Sequence, residues 1–132
     1  MSGLKTIFTS TLLAATLMAP APSLLAQSSQ NDHLRVFAAC AGRLSAQMEF
    51  QWMFDGEAAD ATKSSRSALL DILDAMMSPD QGRMVLNWRV EAKAAQARLL
   101  TRATFNDDKR DAQMANRMAV RMIGDCRAML LS

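Results

Sequence analysis

"VFAACAGRLSAQMEFQWMF", residues 36–54, carries Cys40, one of only two cysteines in the chain, and ends in a cluster of aromatic side chains. Leu34, Phe37, Ala41, Leu44, Met48 and Trp52 recur through it at steps of three and four residues. An α-helix turns about 100° per residue, so this period puts them all on one face. Asn31 and Asp32 are good N-caps, because a short polar side chain can accept a hydrogen bond from the first free backbone N–H groups. A first helix is therefore expected from there to Phe54. Asp55–Gly56 should end it, glycine being the residue that tolerates positive φ just past a helix end.

Three more helices follow by the same reasoning. The second is expected over Ala58–Met77, with Ala58, Ala61, Ser65, Leu69, Ile72, Leu73 and Met76 as its apolar stripe. "SPDQ" at 78–81 then places Ser78 as a cap, Pro79 at the first helical position and Gln81 to complete a capping box. A third helix should run from there to about Thr104, with Met84, Val85, Trp88, Ala92, Ala95 and Leu99 inward. "NDD" at 106–108 supplies a cap and acids for the positive N-terminal end of a fourth. On that helix Met114, Ala115, Met118, Met122, Cys126 and Met129 share a face. No alternating run of β-branched residues argues for a sheet. The expected fold is all-α, an up-down-up-down four-helix bundle. A three-helix arrangement is the alternative, because the Ser-rich front of the second helix reads almost as well as loop.

Ahead of these helices stands a leader. Lys5, the apolar "IFTSTLLAATLMA" and the small residue closing "SLLA" form the three parts of a signal peptide, with cleavage expected after Ala26. The apolar run falls short of the ~20 residues that span a bilayer. Residues 1–26 are thus read as a signal peptide and 27–132 as one exported helical domain, periplasmic or secreted, that does not insert into a membrane. Loss of Lys5 takes the 15 basic residues to 14 against 13 acidic ones, a net charge of +1. That balance argues against nucleic acid as a partner.

Export changes the meaning of Cys40 and Cys126, since two cysteines in an oxidising compartment usually pair. Cys40 lies roughly 10 Å above the start of the first helix, and Cys126 roughly 9 Å from the end of the fourth, at 1.5 Å per residue. Antiparallel helices bring those heights together. Both cysteines also fall on the flanks of their stripes, where neighbouring helices meet. A structural disulfide stapling the bundle is expected.

Other chemistries find little support. His33 is the only histidine, so neither a His-based zinc site nor a Ser/His/Asp set can be assembled. No glycine-rich phosphate loop is present. Asp111 and Asp125 fall within the fourth helix's apolar stripe, where ion pairing explains them better than acid–base work. The chain is not expected to be an enzyme or to carry a cofactor. Met114, Met118 and Met122 on one face are candidate thioether ligands for Cu(I), though the same spacing describes a core stripe. The end of the first helix is apolar in more directions than one core can use. With Trp52 inward beside Met48, Phe50 points about 200° away and Phe54 lies on a flank. Phe50, Trp52 and Phe54 are therefore the candidate surface for a protein partner or a homodimer. In size, compartment and class the chain is similar to small exported helical proteins with one disulfide, such as acid-stress chaperones and immunity proteins. That likeness carries no residue across. The sequence thus points to a small exported, non-catalytic binder of another protein, of inhibitor, immunity or envelope-accessory type. The alternative is a metal or small-ligand binder with a Met-lined interior.

Overall fold

A computed structural model describes residues 24–131, which form four helices and no strand. α1 spans Leu24–Gln51, α2 Gly56–Met76, α3 Gly82–Phe105 and α4 Lys109–Ala128, and a 3₁₀ turn at Pro79–Gln81 leads into α3. The front of α2 is helical, so the three-helix alternative does not arise. Side-chain pairs fix the directions. Ser45 meets Arg66 while Gln51 meets Thr62, so α2 runs against α1. Asn31 meets Gln81 while Glu49 meets Lys93, so α3 runs with it. Gln96 reaches Ala119 while Arg102 reaches Asp111, so α4 runs against α3. This is the up-down-up-down order.

The expected leader lies outside the described residues except for Leu24–Ala26, which are part of α1. α1 therefore starts earlier than its candidate caps suggest. Asn31 does not cap it. Its Oδ1 instead accepts a 3.0 Å hydrogen bond from Gln81 Nε2, tying α1 to the turn before α3. The α1–α2 junction also differs from expectation. No described residue has positive φ, so Gly56 does not close α1. α1 ends at Gln51, and residues 52–54 continue as a tight turn in which Phe54 N–H and Asp55 N–H both donate to the Gln51 carbonyl. Asp55 is extended, and its carboxylate accepts from Ala58 N–H, so "DG" opens α2 rather than ending α1. The other two starts follow the sequence. Ser78 N–H donates to Gln81 Oε1 at 2.9 Å, with Pro79 at the first helical position. Asp108 caps α4 by accepting from the N–H groups of Arg110 and Asp111.

α1 is the axis of the molecule. It packs most extensively against α3 and then α2, whereas α2 barely meets α3 or α4. The closeness of α1 and α3 depends on Gly42, since a Cβ placed there would lie 2.1 Å from the Arg89 carbonyl oxygen. Around this seam the core divides in two. One cluster joins Leu34, Ala38, Ala41 and Leu44 of α1 to Leu69, Leu73, Val85 and Ile123. The other joins Leu99 and Leu100 of α3 to Ala115 and Ala119 of α4, with Phe50 against it. Cys40 and Cys126 are bonded with their Cα atoms 5.3 Å apart, and both are buried in the first cluster. The expected bond is therefore present, although Cys40 lies deeper within α1 than its expected height, because the helix begins at Leu24. Met129 Sδ lies 3.8 Å from Cys40 Sγ and closes over the bond.

Candidate functional site

The aromatic end of α1 is the first place to look. α1 stops at Gln51; Trp52 N–H still donates to the Met48 carbonyl, and Met53 and Phe54 N–H then donate to the Phe50 and Gln51 carbonyls in a tighter turn. Trp52 is 57% exposed, Met53 64% and Phe54 63%. Trp52 is therefore not buried beside Met48 as the periodicity suggests; at the end of α1 its position on the stripe is left open to solvent. Phe50 moves the opposite way. It is half-buried against Leu99 and Leu100, and its ring centroid lies 5.0 Å from that of Phe54. Phe105, 67% exposed, ends α3. Since α1 and α3 run in parallel, it lies at this same pole of the bundle. Met53 faces Ala97, Leu100 and Thr101 of α3 across a shallow groove of about 280 Å³. The sequence singled out Phe50, Trp52 and Phe54 but missed Met53 and Phe105. The consecutive apolar Trp52, Met53 and Phe54 before a strong cap were the available signal for Met53.

The candidate thioether ligands lie elsewhere than expected. α4 buries Ala115, Ala119, Ile123 and Cys126, whereas Met114 is 49% and Met118 42% exposed, and Met122 is half-buried beside Leu99 and Leu100. Of the three candidates, Met114 and Met118 therefore do not line the interior. Alanine lets α4 come close to α3, and that approach seats the fully buried Gln96, whose Nε2 donates to the Ala119 carbonyl at 3.3 Å. Long methionine side chains do not fit so narrow a seam and lie along its flank. Gln96 itself was passed over because it is polar, although it sits three residues before Leu99 on the inward face.

The polar candidates resolve simply. His33 is exposed, as is Asp125. Asp111 is half-buried, accepting from Arg102 Nε at 3.1 Å and also from Arg102 Nη2 and Asn106 Nδ2. The hydrogen bond from Arg102 lowers its pKa from the ordinary aspartate value; burial opposes it, and the Arg102 charge and the Asn106 hydrogen bond add smaller lowering effects. Thr62, fully buried, donates to Gln51 Oε1 and accepts from Arg127 Nη2, joining α1, α2 and α4. Among the described residues no group of three His, Cys, Asp or Glu converges to hold a metal ion. No described helix is long and apolar enough to cross a membrane.

Charge is sorted by helix, which the near-neutral total conceals. α2 carries Glu57, Asp60, Asp71 and Asp74 against Lys63 and Arg66. α3 carries Arg83, Arg89, Lys93, Arg98 and Arg102 against Glu91 alone. Among the described residues, the grooves beside Ser45 and beside Met53 hold about 150 and 280 Å³, below the ~300–1,000 Å³ of ordinary small-molecule sites. No protein-family model, curated protein or solved structure matches the chain.

Proposed function

We propose that this is a small exported protein that acts without catalysis, binding another protein through the apolar pole at Trp52, Met53 and Phe54. One observation carries the reading: three consecutive large apolar residues, each more than half exposed, sit on a turn held by backbone hydrogen bonds and followed directly by a cap. Large aromatics left outside a core, on a rigid support, are the usual anchors of protein interfaces. Phe50 backs them from inside through its ring contact with Phe54, and Phe105 adds a further exposed aromatic at the end of α3. The buried disulfide supports export, because such bonds persist in oxidising compartments. An inhibitor, immunity or envelope-accessory role suits a rigid bundle of this kind, and a homodimer through the same pole is the second way to cover it.

The test is a quantitative crosslinking pull-down from the native envelope with the wild type and with Trp52→Ser/Phe54→Ser. The expected result is one partner, or a second copy of the chain, lost in the variant while the melting temperature stays unchanged. Equal capture by both proteins would refute the role of the pole.

A further inference from the structure

A second surface lies between α2 and α3. Because these helices barely touch, the face of α1 between them forms the floor of an open groove. Gly42 and Ser45 line that floor, Arg66 of α2 stands on one side, and Arg89 and Lys93 of α3 stand on the other. Ser45 is buried. Its Oγ donates to the Ala41 carbonyl at 2.9 Å and accepts from Arg66 Nε at 2.7 Å, so the Arg66 guanidinium is held by one edge. Among the described residues Glu49 is the only carboxylate lining the groove, and Lys93 Nζ already occupies it at 2.6 Å. Neither Arg66 nor Arg89 has an acidic partner among the described residues. Both are half-buried, so solvent screens their charge less than that of a fully exposed arginine. Leu86 and Val90, one helical turn apart and each more than half exposed, form an apolar lip.

We infer that this groove receives a glutamate or aspartate side chain of the protein partner, flanked by an aliphatic residue that rests on Leu86 and Val90. The inference rests on the protein-binding reading and supplies the partner's chemistry. Size and charge both support it. About 150 Å³ suits one side chain and is too little for a cofactor or a drug-sized ligand. Arg66 and Arg89 line the groove without carboxylate partners among the described residues, and each guanidinium is a planar fork that matches a carboxylate, giving short charge-assisted hydrogen bonds. The groove is complementary to an acidic segment, and it adjoins the apolar pole because Glu49 lines both this groove and the one beside Met53.

The experiment is an amide NMR titration of the disulfide-intact protein with the peptide acetyl-Leu-Glu-Leu-amide. Its glutamine counterpart and inorganic phosphate serve as separate arms. The glutamate peptide should shift the amides of Gly42, Ser45, Arg66 and Arg89 saturably. The glutamine peptide should bind about tenfold more weakly, the loss of one charge-assisted contact. Arg89→Ala should weaken binding by a similar factor and Arg89→Lys should recover much of it, and neither removes a hydrogen bond from the fold. Equal binding of the two peptides would overturn the inference, as would shifts spread evenly over the arginines of α4. So would phosphate shifting the same amides at lower concentration than the peptide, which would assign the groove to a phosphoryl group. A failed titration alongside partner capture that depends on Trp52 would remove the groove and leave the pole. Peptide binding with no partner captured would do the reverse.

Discussion

Replacing Gly42 by alanine sets two opposed effects against each other, and their sign depends on the α1–α3 seam. In an isolated helix the change should stabilise by about 1 kcal/mol, because glycine loses the most backbone entropy on folding. Here the new methyl would lie 2.1 Å from the Arg89 carbonyl oxygen, where ordinary contact begins at 3.4 Å. The obstacle is backbone, so no rotamer change relieves it. α1 and α3 must separate by about 1.3 Å at the crossing. A gap of 0.5–1 Å already forfeits a quarter to a half of each dispersion contact along a seam. Overpacking of this kind costs about 1–3 kcal/mol, and the upper end is expected because the seam is the most extensive in the molecule. The net change is a destabilisation of about 2 kcal/mol, or roughly 10 °C in Tm for a domain of this size. Thermal unfolding followed by far-UV circular dichroism reads it, with Gly124→Ala as the control. Gly124 is an exposed interior residue of α4, and a Cβ there meets nothing within 4 Å. Gly124→Ala should therefore raise Tm while Gly42→Ala lowers it. A rise for both would refute the reasoning about the seam.

Further outcomes follow from the same packing. Phe50→Ala should destabilise by about 2 kcal/mol because the ring rests on Leu99 and Leu100, whereas Trp52→Ala should change stability by less than about 0.5 kcal/mol; urea titration separates them. The native protein should show no free thiol to alkylating reagents, and replacing Cys40 and Cys126 by alanine should cost about 4 kcal/mol in the chain-entropy view of a loop this long, read as a lower urea midpoint. Asp111 has its pKa lowered by Arg102, so its contribution is present above the unfolded aspartate pKa and is lost as pH falls through the folded value; Asp111→Asn should flatten the acid limb of a Tm-versus-pH curve and leave neutral pH nearly unchanged in slope.

Much of this architecture was legible because it rests on local chemistry. Pro79 and Gln81 at the third start and Asp108 at the fourth act within a few residues of themselves, so a linear reading finds them. The disulfide was legible for another reason: the only two cysteines of a chain read as exported are expected to pair, and the antiparallel order of α1 and α4 lets them meet, even though α1 starts earlier than expected. What escaped was whatever depends on how closely two helices approach. Period alone makes Met114 and Met118 as good a core stripe as Ala115 and Ala119. The narrow seam at Gln96 selects the alanines, and nothing local records its width. Trp52 escaped because α1 ends at Gln51, three residues before the expected Phe54, and its place on the stripe is left uncovered there. Asp55 decides that end by capping the next helix. The groove over Ser45 was not legible at all, since Arg66 and Arg89 converge only because α2 and α3 stand apart on α1.

A photoreactive amino acid placed at position 52, with Asp71 on the outer face of α2 as the comparison site, tests the apolar pole most directly. After illumination of the native envelope, position 52 should yield one discrete adduct that Phe54→Ser abolishes, while position 71 yields none. No adduct from position 52, or the same adducts from both positions, would contradict a binding role for the pole.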